Sequence, residues 1–124
     1  MLNKEKFVYK ILTINEWEDF KKNFFFYGTE LDKSSKFIHL SSLSQLSETI
    51  SLYFLEYNKV VILELETISI KEGLKWELSR NNEFFPHYYG TLDIKLICRK
   101  FVVNPKNNNN SLISKQSCLL KSLD

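Results

Sequence analysis

The run KVVILELE, residues 59 to 66, constrains this chain more than any other stretch. It is far shorter than the roughly 20 apolar residues that cross a bilayer, and it is rich in β-branched side chains. A continuous apolar run of that length reads as a strand buried on both faces, so a sheet with this strand at its centre is expected.

The rest of the chain supplies partners for it. Phe7 to Leu12 alternates as a strand does, and Thr13-Ile14-Asn15-Glu16 has the spacing of a capping box, which predicts a helix from Ile14. Ile14, Trp17 and Phe20 lie three apart and would give that helix an inward face. FFFYG, residues 24 to 28, leaves the helix as a buried strand or loop lining closed by a turn at Gly28, and TELDKSSK reads as a polar turn. FIHLSS is a short strand, followed by a second capping box at Ser42 and Gln45. From there Leu43, Leu46, Ile50, Tyr53, Phe54 and Tyr57 recur at helical spacing over about four turns. LKWELSR reads as a strand, and so does Lys95 to Val103, with Leu96, Cys98 and Val102 on alternating positions.

At 124 residues this is one domain, of α+β class because strands and helices mix without strict βαβ alternation. Residues 1–103 form the globular part. NPKNNNN opens a polar linker and tail over 104–124, whose Leu119, Leu120 and Leu123 either fray or dock.

Charge narrows the function. Seventeen basic and fifteen acidic side chains leave a net charge of +2 with both signs dispersed, so no long-range field favours DNA or an anionic membrane. The opening MLNKEKFVYK has charges where a signal peptide needs an apolar stretch, and a cytoplasmic protein is the expectation. Cys98 and Cys118 lie in no CxxC pattern, and two histidines do not make a three-histidine centre, so no metal site is expected. Phosphate-binding loops, dinucleotide fingerprints and nucleophile elbows are absent.

What remains is a scattered set of side chains. His39 stands at a strand end with Ser41 and Ser42 at the following helix start; it serves either as a histidine satisfied by backbone carbonyls or as a donor to a ribose or phosphate. Glu77, next to Trp76 on a strand, faces away from it, either solvated beside Lys75 and Arg80 or in a cleft. Arg80 is a surface arginine or a fork for a carboxylate or phosphate. In FFPHYYG, residues 84 to 90, Pro86 stiffens the backbone and puts His87 and Tyr89 on one face, as a packed corner or as a ligand wall.

FVYKIL-T-x-x-E-W, FIHLSS with its helix, LKWELSR and FFPHYYGTL occur in this order over residues 7 to about 103. In this the chain resembles the small bacterial family called domain of unknown function 952. The resemblance implies a fold similar to the ADP-ribosyltransferase superfamily, a split β-sheet with flanking helices holding NAD in its cleft. It implies His39 against a ribose, with Ser41, Ser42, Arg80 and Tyr89 also on the ligand, Glu77 stabilising the oxocarbenium, and His87 as a second catalytic group. NAD would then be a substrate, cleaved or transferred to an unidentified acceptor. The superfamily's usual order puts the glutamate last, whereas here Glu77 precedes His87 and Tyr89. The RNA 2′-phosphotransferase branch holds RNA with basic residues, of which this chain offers Arg80 and dispersed lysines, so a small-molecule or protein acceptor is favoured. The alternatives are a non-catalytic module binding a nucleotide or other small ligand in the same cleft, and an interaction role for the FFFY aromatics or the tail.

Overall fold

A computed structural model describes residues 5–107. The expected central strand is β4, Val60–Glu66. It pairs antiparallel with β1, Phe7–Thr13, on one edge and with β8, Ile97–Val103, on the other. Every residue from Val60 to Leu65 is buried, because both faces of this sheet are covered. Val61, Leu63 and Leu65 pack on one face with Val8, Leu12, Trp17, Phe20 and Ile38. Val60 and Ile62 pack on the other with Tyr9, Ile11, Leu46, Ile50 and Phe101.

Two smaller antiparallel sheets complete an α+β domain with few helices. Strand β2, Phe25–Phe26, pairs with β7, Leu92–Asp93, and β3, Ile38–His39, pairs with β6, Phe84–Tyr88, which pairs with β5, Leu74–Leu78. Ser41 is stitched to Tyr9 by reciprocal backbone hydrogen bonds of 2.8 and 2.9 Å, so the end of β3 is tied to the edge of the central sheet.

Helix α1, Ile14–Asn23, has the expected reciprocal Thr13–Glu16 cap, but its buried face is Trp17 and Phe20 alone, Ile14 being exposed. It ends at Phe24 in a left-handed conformation (φ 69°), and in FFFY only Phe26 is buried. TELDKSSK is not a turn. It forms α2, Glu30–Ser35, capped by Thr29 and Asp32. The Ser42–Gln45 box opens a 3-10 turn, Leu43–Gln45, that leads into α3, Leu46–Tyr53. That helix is shorter than its apolar spacing suggests: Phe54 and Tyr57 lie beyond it yet still pack on the second core face. The β4–β8 register shifts between Glu64 and Leu65 of β4, and the buried residues of β8 are Ile97, Phe101 and Val103, not the set Leu96, Cys98 and Val102. Past the last strand, Pro105–Asn107 forms a 3-10 turn with Pro105 buried; the remainder of the expected tail lies outside the described residues. Among the described residues no helix is long and apolar enough to cross a membrane.

Candidate functional site

The site starts from α2. A six-residue helix whose one leucine is 62% exposed is not held by apolar burial. Its cap holds it: Thr29 Oγ1 accepts from the Asp32 amide at 3.1 Å, and the Thr29 amide donates to Asp32 Oδ2 at 2.9 Å. Asp32 is buried, and its carboxylate is the hub of the region. Oδ1 accepts from the His39 amide (3.0 Å) and contacts His39 Nδ1 (2.7 Å), while Lys10 Nζ reaches Oδ2 at 2.9 Å. Burial pushes the Asp32 carboxyl up, but the His39 hydrogen bond, the Lys10 charge and the Thr29 amide outweigh it and hold the group well below the usual carboxylate range. Lys10, buried on β1, is pulled the other way: loss of water lowers its pKa, and Asp32 only partly offsets this. Its ammonium also donates to the His39 carbonyl at 3.0 Å.

A second pair stands alongside. His39 and His87 are opposed in the β3–β6 register, and their ring centroids lie 5.7 Å apart. His87 Nδ1 is 2.7 Å from Glu77 Oε1, which also accepts from the Tyr89 hydroxyl at 2.8 Å. These two hydrogen bonds hold the Glu77 carboxyl below its ordinary value. Burial lowers the His87 pKa against the pull of Glu77, and the nearby His39 lowers it further. The Phe37 ring stacks on His87 at 4.0 Å and lies 4.5 Å from His39 and 5.4 Å from Tyr89.

Both histidines are thus bound through Nδ1 to a carboxylate. An ionised carboxylate only accepts, so each Nδ1 carries the proton and each neutral ring presents Nε2 as an acceptor. Neither Nε2 has a protein hydrogen-bond partner among the described residues.

A cleft of about 670 Å³ opens beside this pair, lined by β1, the start of α2, β3 and Ser41, α3, the β5–β6 turn and β6. Arg80 stands on that turn, where Asn81 and Asn82 take up positive φ, a conformation asparagine tolerates. Gln45 anchors the turn from the start of α3 through the Phe84 carbonyl at 2.9 Å. The Arg80 guanidinium lies over Phe85 (4.8 Å) and Tyr53 (5.7 Å) and donates to Thr49 Oγ1 at 3.0 Å, leaving its Nε buried and without a partner. Ser41 Oγ lies 3.5 Å from the same Thr49 hydroxyl.

Of the residues singled out from the sequence, His39, Ser41, Arg80 and His87 line this cleft together. Ser42, Glu77 and Tyr89 do not: Ser42 is buried in its capping box, and Glu77 and Tyr89 form the support behind His87. Lys10, Asp32, Thr49 and Tyr53 also line it and were missed. Asp32 had a signal, since Thr29-x-x-Asp32 repeats the capping spacing recognised at Thr13. Among the described residues no cluster of three or more histidine, cysteine or acidic side chains is arranged to hold a metal.

Fold and site together define a small α+β domain with several antiparallel sheets and a cleft bearing two carboxylate-backed histidines. The chain belongs to the family described as protein of unknown function (DUF952), which matches residues 11–100. It is similar to protein CC0527 from Caulobacter crescentus, at 36% identity over 77% of this chain and 84% of that one, with a TM-score of 0.74 to the crystal structure. To the solution structure of the same protein the TM-score is 0.70, over 77% and 83% of the two chains. No curated protein matches the chain.

Proposed function

We propose that the cleft binds a nucleotide, and that the fold is similar to that of the ADP-ribosyltransferase superfamily, which would make NAD the ligand. The observation carrying this is the pairing, in one cleft, of two carboxylate-backed histidines with the Arg80 guanidinium. The Arg80 guanidinium on the cleft wall supplies positive charge and a donor fork for an anionic oxygen. The volume falls within the 300–1,000 Å³ typical of small-ligand sites. Tyr53 and Phe85 add aromatic surface at Arg80 for a base, and Ser41 and Thr49 add hydroxyls.

On NAD, Arg80 would hold a phosphate oxygen and His39 a ribose hydroxyl. Cleavage of the nicotinamide–ribose bond expels a neutral group and needs no acid, so the remaining task is to activate water or an acceptor hydroxyl. His87 Nε2 suits that task as a base. Glu77 acts through His87 in this reading, holding its tautomer, and does not itself face the oxocarbenium.

The test is a thermal-shift titration with NAD, ADP-ribose and unrelated nucleotides, with nicotinamide release followed separately. At 100 times Kd, NAD should stabilise by about 2.7 kcal/mol, and His39→Ala should remove the shift while remaining folded. Stabilisation without nicotinamide release supports the binding module; no stabilisation by any nucleotide at millimolar concentration overturns the reading.

A further inference from the structure

We propose that His39 and His87 form an acid–base pair for cleaving a ribonucleotide 3′,5′-phosphodiester, an activity distinct from glycosidic chemistry. It rests on a nucleotide entering the cleft, and not on NAD being that nucleotide.

Three features of the geometry point to phosphorus. In-line displacement at a phosphodiester needs a proton acceptor on the attacking side and a proton donor on the leaving side, with positive charge near the equatorial oxygens. Opposed strands present two imidazoles with centroids 5.7 Å apart, each fixed at Nδ1 and open at Nε2. A glycosyl cation, by contrast, calls for a carboxylate facing the ribose. The three carboxylates lining the cleft do not offer one ready for that role. Asp32 is bound by Lys10 and His39, Glu16 by the cap of α1, and Glu30 is exposed on the first turn of α2. Thirdly, Arg80 lines the same cleft and brings positive charge for the phosphoryl oxygens.

The step balances within the substrate and the two rings. His87 Nε2 takes the proton of the ribose 2′-hydroxyl. The freed O2′ pair forms a bond to phosphorus, the P–O5′ bond breaks with its electrons on O5′, and O5′ takes the proton held on His39 Nε2. The products are a 2′,3′-cyclic phosphate and a 5′-hydroxyl nucleoside, with one proton moved from His39 to His87. Exchange with water returns both rings to their starting states. Burial lowers the His87 pKa, which suits the base, while the Asp32 carboxylate lies 2.7 Å from Nδ1 of His39, the ring that gives up the proton. Asp32 and Glu77 are positioning residues.

The experiment uses the full chain with a ribodinucleoside monophosphate and with its 2′-deoxy analogue, with products separated by chromatography. Cyclic phosphate is expected from the ribose substrate only, with a bell-shaped pH profile. His39→Ala and His87→Ala should each lower kcat on the order of 100-fold or more, with added imidazole restoring part of the loss and circular dichroism confirming folding. His87→Gln provides a second variant if His87→Ala is unstable, and Glu77→Gln should lower kcat while moving the acidic limb of the profile, which reports the base. No cyclic phosphate, equal cleavage of the deoxy analogue, or activity surviving in both histidine variants overturns the proposal. Failure here with NAD still stabilising the protein removes this activity alone; failure with no nucleotide stabilising it removes the nucleotide cleft as well.

Discussion

Replacing Asp32 by asparagine is the most informative change to the region around the cleft. The carboxylate is 2% exposed and Lys10 is 6% exposed, so the variant leaves an ammonium with little access to water. Removing one partner of a buried ion pair costs about 3–5 kcal/mol, because the remaining charge is uncompensated. Asparagine also offers one acceptor oxygen where the carboxylate serves the Thr29 amide through Oδ2 and the backbone amide and Nδ1 of His39 through Oδ1. A loss of at least about 3 kcal/mol is expected, equivalent to roughly 12–24 °C in Tm for a domain of about 100 residues. The assay is urea unfolding of the wild type, Asp32→Asn, Lys10→Met and the double variant. If the cost arises from the stranded ammonium, the double variant should regain about 2 kcal/mol relative to additivity. A loss below about 1 kcal/mol for Asp32→Asn, or strictly additive single effects, would refute the buried-pair reasoning.

Other perturbations probe the neighbouring groups. Burial depresses the His87 pKa despite Glu77, so the unfolded chain takes up this proton first as pH falls. Stability should therefore decline on acidification from the unfolded value of about 6.5 until the lower folded value is passed. The groups facing that ring are Glu77, His39 and the aromatic Phe37, with Lys75 its backbone partner. In His87→Gln, Tm against pH should lose this decline and keep the acid loss from Asp32, whose depressed pKa withdraws stability only as pH falls through the carboxylate range. Gly28→Ala places a Cβ 2.8 Å from Asp32 Cβ at a φ of 115°, and denaturant unfolding should show a loss of about 1–3 kcal/mol. Arg80→Lys gives up the guanidinium stack on Phe85 and the fork geometry, so NAD affinity by calorimetry should fall roughly 10-fold.

The legible parts of the fold are those where one local rule acts alone. Val60–Glu66 is apolar throughout because both of its faces are covered, and Thr13–Glu16 announces α1 because the cap is a contact within one turn. Where tertiary structure intervenes, pattern reading stops. Helix α2 buries only Asp32, so it has no apolar period to find, and its cap is the sole sequence signal. The apolar spacing from Leu43 runs past α3 because Phe54 and Tyr57 reach the core from the turn that follows it. Parity fails in β8 because the bulge opposite Glu64 places Ile97 on one core face and Phe101 on the other.

The same division runs through the site. His39 and His87 were visible as isolated residue types, and their chemistry was not, because a carboxylate becomes a histidine's partner only through long-range register. Asp32 reaches His39 across seven residues because α2 turns back to β3. Glu77 reaches His87 because Lys75 is the direct cross-strand neighbour of His87, which leaves Glu77 two residues along on the same face. A one-residue slip of the β5–β6 register would send Glu77 to the opposite face and leave His87 without a partner for Nδ1. The Asn81–Asn82 turn that fixes this register also carries Arg80 to the cleft wall. Inserting one glycine into that turn should therefore weaken ligand binding and lower the His87 pKa further together, because Glu77 is the group that raises it against burial, and imidazole proton resonances followed against pH would separate this coupled outcome from a loss of Arg80 alone.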